Sequence, residues 1–209
     1  MNPDSSGAPP LREEVKTLFR DRLLDAAEEV FAARGFAQTR VEDVAARAGV
    51  AVGTVYNYFS DRRALLAAVI DRRREGFSHK LREVERTSRG RPFVERLDAF
   101  VGGVLEQFDE NRRFYPILAQ AECSPPPDRQ AGGRLSALAD AYRRAERLLE
   151  GGMAEGAIPR QDAGLLAAAL TGMLRGVAFR MLLNPKGAPF AADRDALVAL
   201  FLRGAQRPR

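Results

Sequence analysis

TRVEDVAARAGVAVGTVYNYFSDRRALL, residues 39–66, decides the fold. Val41, Val44, Ala45 and Ala48 recur at helical spacing and give a short helix one apolar face. Thr39 stands before that helix and Glu42 follows three residues on. This is the pattern of a capping box, in which the threonine hydroxyl accepts from the third backbone N–H and the carboxylate reaches back to the cap. Gly49 then supplies a turn with positive φ, a conformation that strains other residues. Val50 drops towards the core, and a second helix is predicted over Val52–Tyr58, with Val55 and Phe59 facing inward. Two short helices around a glycine turn make a helix-turn-helix, the module that seats its second helix in the major groove of DNA.

The outward positions of that second helix are the candidate readers. Val52, Thr54, Asn57 and Tyr58 point away from the predicted core, with Tyr56 at the flank. Asparagine bonds adenine in a bidentate manner, and threonine or valine methyls touch the thymine methyl. Gly53 removes side-chain bulk where the backbone approaches a phosphate or a base edge. Tyrosine hydroxyls and Arg62 suit phosphate oxygens, which position a protein without reading sequence. Thr39 and Arg40, at the start of the first helix, complete the candidate DNA-binding set.

Outward from this stretch the signals are helical throughout, and the chain reads as all-α: three helices in an N-terminal head and six in a larger body. Residues 1–14 read as a disordered leader of Pro, Ser, Gly and Asp, residues 15–61 as the DNA-binding domain, and 62–209 as a ligand-binding and dimerisation domain. Leu23, Ala26, Ala27, Val30 and Phe31 line one face of a helix over 15–34 that stops at Gly35. A long helix runs from Arg62 to about Arg86. Helices are predicted over Pro92–Phe108, loosened or bent at Gly102–Gly103, and over Arg112–Ala121. Others run to about Glu150, over Gln161–Leu183, and from Ala191 to about Leu202.

Residues 22–70 resemble the N-terminal domain of the TetR family of bacterial transcriptional repressors. The matching residues are Ala26-Ala27, Phe31, Gly35-Phe36, Thr39, Val44-Ala45, Ala48-Gly49-Val50, Gly53-Thr54-Val55-Tyr56, Tyr58-Phe59 and Leu65-Leu66. The resemblance implies an all-helical homodimer whose heads bind a palindromic operator in double-stranded DNA and whose body releases it on binding a small effector. Two positions depart from the family pattern. Ala51 opens the recognition helix where Ser or Thr is usual, and Arg62 replaces the usual lysine. A missing N-cap costs about 1 kcal/mol.

The resemblance also implies that the last two helices pair with those of a second subunit. Leu170, Gly172, Met173, Gly176, Val177, Leu197 and Phe201 are the candidate dimer residues. Phe77, Phe100, Val104, Phe108, Phe114, Leu118, Tyr142 and Phe179 are candidates for lining a cavity among the body helices, and they favour a hydrophobic or aromatic ligand.

Composition narrows the alternatives. The net charge of +5 is spread along the chain, +2 in residues 1–90 and +3 in the rest, so it permits DNA binding without arguing for it. The single cysteine, Cys123, excludes an internal disulfide framework and fits a reducing cytoplasm. One His and one Cys do not build a structural zinc site, and no metal or cofactor is expected. No apolar run approaches the ~20 residues of a membrane span, and no secretion signal is evident. With no phosphate-binding glycine loop or nucleophile motif, and with His79 alone on the exposed side of its helix, an enzyme is not expected. The other readings are an activator with the same head and a helical interaction protein that has lost DNA binding.

Overall fold

The computed structural model describes residues 11–117, 132–184 and 187–205, and every regular element among them is helical. In order they are α1 (Leu11–Gln38), α2 (Val41–Ala48), α3 (Val52–Tyr56), α4 (Arg62–Ser88), α5 (Phe93–Glu110), α6 (Gly132–Ala154), α7 (Ala163–Leu183), a 3-10 turn (Phe190–Asp193) and α8 (Arg194–Ala205). The chain divides into two compact units, 1–72 and 73–209, with the division inside α4. The all-α expectation holds. α1 begins at Leu11, so residues 11–14 of the expected leader are helical. Of the helix predicted over Arg112–Ala121, Arg112–Phe114 form a turn, 115–117 are helical, and the remainder lies outside the described residues.

The head closes on the face predicted for α1. Leu23, Leu24, Ala27 and Phe31 are fully buried, together with Val44 of α2 and Leu65 and Val69 of α4. Each such aliphatic or aromatic side chain contributes about 1.5–3 kcal/mol of burial. Arg72 ties α4 back to α1: its guanidinium lies 2.8 Å from Asp25 and 3.3 Å from Glu28. It also donates to the Asp21 carbonyl.

The body core is built around α5, where Leu97, Phe100, Val101, Val104 and Leu105 are all buried. Ala145 and Leu149 of α6, Leu166, Leu170 and Leu174 of α7, and Val198 and Phe201 of α8 join the same cluster. Gly102 and Gly103 do not interrupt α5; they are buried within it. A Cβ at Gly103 would fall 2.8 Å from Cγ2 of Val84, and one at Gly102 would fall 3.0 Å from the Arg194 guanidinium. At Gly103 the close approach of Val84 from α4 disfavours a side chain, whereas at Gly102 the Arg194 side chain would have to move aside.

Two ionic ties organise this unit. Arg144, only 8% exposed, is flanked by Asp140 at 3.0 Å and by Glu85. Burial alone raises the Asp140 pKa, but hydrogen bonds from Arg144 and Ser78 outweigh it and leave it lowered. At the far end of α5, Asp109 accepts from the backbone N–H of Phe190 at 3.0 Å and of Ala191 at 3.1 Å. Arg112 donates to the carbonyls of Gly187 and Ala188 and to Asp109, with its guanidinium 4.8 Å from the centre of the Phe190 ring. This clasp fixes residues 187–191 ahead of α8.

α7 has two apolar faces. Ala163–Arg180 is long and apolar enough to cross a membrane by length and composition alone, contrary to the expectation from sequence. One face packs into the core described above. The other carries Leu165, Ala169, Gly172, Gly176, Phe179 and Leu183 at alternating spacings of four and three, and all six are exposed.

Candidate nucleic-acid interface

The helix-turn-helix is built by two local devices. α1 breaks at Gly35, whose φ of 74° and ψ of 165° are non-helical, and one more turn brings the chain to Thr39. α2 then ends in a glycine turn: Gly49, at φ 68° and ψ 39°, donates to the Ala46 carbonyl, and Val50 donates to the Ala45 carbonyl at 3.0 Å. This is the paired bonding of a Schellman motif, which satisfies the last carbonyls of α2 and turns the chain into α3.

The cap at the start of α2 sits one residue later than the sequence pattern suggested. Arg40, extended at φ −111° and ψ 158°, occupies the cap position, and Asp43, not Glu42, accepts from its backbone N–H at 3.0 Å. That hydrogen bond, followed by one from Arg34, lowers the Asp43 pKa. Thr39 is fully buried and its hydroxyl donates to the Gly35 carbonyl at 2.8 Å. Its side chain is therefore removed from the DNA-binding set: it closes the break in α1 and presents nothing to solvent.

α3 is short, spanning Val52–Tyr56, with Asn57 in helical conformation as its cap. Ala51 precedes it with no side-chain cap, as the sequence implied. Val55 and Phe59 are buried at 1% and 6% exposure, and these two anchors orient everything else. Tyr56 is 50% exposed, which excludes it from the core. Gly53 and Asn57 are exposed, Val52, Thr54 and Tyr58 partly so, and Arg40 is exposed nearby. Among the described residues, no atom would lie within 4 Å of a Cβ at Gly53. The segment 51–60 carries no charged side chain, so attraction to phosphates falls to flanking arginines. Arg63, on the first turn of α4, is exposed and was not among the sequence candidates.

Arg62 is only partly exposed and its guanidinium is engaged within the head. Its Nη1 donates to the carbonyls of Thr39 at 2.6 Å and Ala37 at 3.1 Å, and its guanidinium stacks 4.3 Å from the centre of the Phe36 ring. The same helix start is capped by Asp61, which accepts from the Ala64 N–H at 2.8 Å.

In the body, the cavity candidates separate. Phe100, Val104 and Phe114 are buried. Phe77, Phe108 and Tyr142 are partly buried against the core, and the Tyr142 hydroxyl donates to the Gly164 carbonyl. Phe179, at 56% exposure, faces away from that core and is corrected to the outer face of α7. Leu118 lies outside the described residues. Among the dimer candidates, Gly172 and Gly176 lie on the exposed face, and Met173, Val177 and Leu197 are partly buried. Leu170 and Phe201, at 1% and 4% exposure, are core residues and not interface residues. The exposed positions missed from sequence are Leu165, Leu183 and Leu200, at 68%, 73% and 62% exposure. A count of apolar residues around α7 does not separate its two faces; the three-four spacing through Gly172 and Gly176 does.

Residues 23–69 match the family model described as bacterial regulatory proteins, tetR family. The HTH-type transcriptional regulator TtgR of Pseudomonas putida is 29% identical over 190 residues, covering 86% of this chain and 87% of TtgR. Several other curated relatives are matched over about half of their own length or less. The fold is shared with the transcriptional regulator FadR from Bacillus subtilis in complex with stearoyl-CoA, at a TM-score of 0.74 and 21% identity over 88% of this chain and 98% of FadR. It is shared also with SmeT, the repressor of a Stenotrophomonas maltophilia multidrug efflux pump, in complex with triclosan. That likeness has a TM-score of 0.69 and 24% identity over 91% of this chain and 92% of SmeT.

Proposed function

We propose that this chain, whose residues 23–69 match the model of the tetR family of bacterial regulatory proteins, is a repressor of that family that binds a palindromic operator as a homodimer and is released by a small hydrophobic or aromatic effector. The observation that carries the reading is the arrangement of α3. Val55 and Phe59 are buried, while Tyr56 and Asn57 are exposed beside a tight Gly49 turn. In this reading Val52, Thr54 and Asn57 address base edges and Gly53 allows close approach. Tyr56, Tyr58, Arg40 and Arg63 address phosphates.

The homodimer is supported by the exposed stripe on α7. An apolar face in which two glycines have no heavy atom within 4 Å of a built Cβ suits close approach of a second copy. Two-fold pairing would set the recognition helices about one DNA turn, ~34–36 Å, apart. For the effector, support comes from the buried and partly buried aromatics beside α5, and from the stearoyl-CoA and triclosan held by FadR and SmeT. We propose no enzymatic step, and the site of action is the cytoplasm, where the DNA is.

The test is titration of the purified protein against the DNA upstream of its own gene and against random DNA, at two salt concentrations. A preference for the upstream DNA is expected. Asn57→Ala should weaken it by about 1–3 kcal/mol, and Tyr56→Phe should weaken binding to both DNAs. Equal binding to both DNAs by the wild-type protein would sink the reading.

A further inference from the structure

We propose that Arg62 is a positioning residue that holds the helix-turn-helix in its binding pose and makes no phosphate contact; this rests on reading the head as an operator-binding module. Ala37 lies in the last turn of α1, where carbonyls run out of helical donors. The chain then passes through Thr39 into α2. Arg62 reaches both carbonyls from the first turn of α4, at 3.1 and 2.6 Å, while its plane stacks on Phe36 at 4.3 Å. One guanidinium thereby joins the end of α1, the start of α2 and the start of α4, the three segments that frame α3. The chemistry requires arginine: a planar fork stacks on an aromatic ring and donates along its edge at once, whereas a lysine ammonium is a point charge. Arg63, the next residue, is exposed and keeps positive charge at the same helix end.

The experiment compares wild type, Arg62→Ala and Arg62→Lys in operator binding across a salt series, with far-UV circular dichroism melting of each. A phosphate contact contributes about 0.9 to the slope of log affinity against log salt. The proposal expects both variants to lose roughly tenfold or more in affinity with the slope unchanged, and both to melt earlier. It is overturned if Arg62→Lys retains wild-type affinity, if either variant loses about 0.9 from the slope, or if neither changes affinity. Should Arg62→Ala fail to fold, the lysine variant decides alone. A wild type without operator preference fails the functional reading itself, a result distinct from any of these.

Discussion

At the residue scale, the head shows how one position serves backbone geometry and another serves recognition. Gly49 belongs to the first kind. Its φ of 68° is open to glycine and costly for others, and a Cβ there would meet Arg22 Nη2 at 3.3 Å, a flexible group able to move aside. Gly49→Ala should therefore cost about 1 kcal/mol through backbone strain alone, read as a lower urea midpoint with unchanged slope; an unchanged midpoint would contradict it. This role was legible in the sequence, since a glycine between two apolar-faced segments has few other uses. The role of Arg62 was not legible. Nothing in the spacing of Phe36, Thr39 and Arg62 says that they meet, because the contact spans about two dozen residues and depends on how α1 ends. Thr39 failed similarly: a threonine before a helix reads as a cap until the break at Gly35 gives its hydroxyl a nearer acceptor.

At the element scale, the helices were legible because periodicity and glycine or proline stops are local signals. The ties between them were not, since Asp109 and Arg112 meet residues some eighty positions away. The Asp109 clasp carries a pH consequence. Burial raises its pKa, but Arg112 and then the N–H groups of Phe190 and Ala191 outweigh burial and leave it lowered. A carboxylate with a depressed folded pKa contributes stability that is present above its unfolded value, about 3.9. That stability is lost as pH falls through the folded value. Asp109→Asn should thus destabilise the protein by roughly 1 kcal/mol at pH 7, read as a lower melting temperature, and the gap from wild type should narrow as pH falls below that unfolded value. A gap of equal size at both pH values would show that the tie is not electrostatic.

At the scale of the whole molecule, the proposed homodimer would cover the exposed face of α7, where Leu165, Phe179 and Leu183 are poorly suited to water. Phe179→Glu should yield a species of half the wild-type mass by sedimentation equilibrium, with weaker operator binding. Unchanged mass would remove the stripe from the dimer seam. Which of the two apolar faces of α7 was core and which was surface was not legible in the sequence, because both read alike until α5 and α6 are in place. The recognition segment has the opposite economy. Of residues 51–60, Val55 and Phe59 are buried and Val52, Thr54 and Tyr58 partly so, which leaves five of ten positions exposed. A duplicated copy of this gene can rewrite those five and acquire a new address on the chromosome while its fold stays as it was.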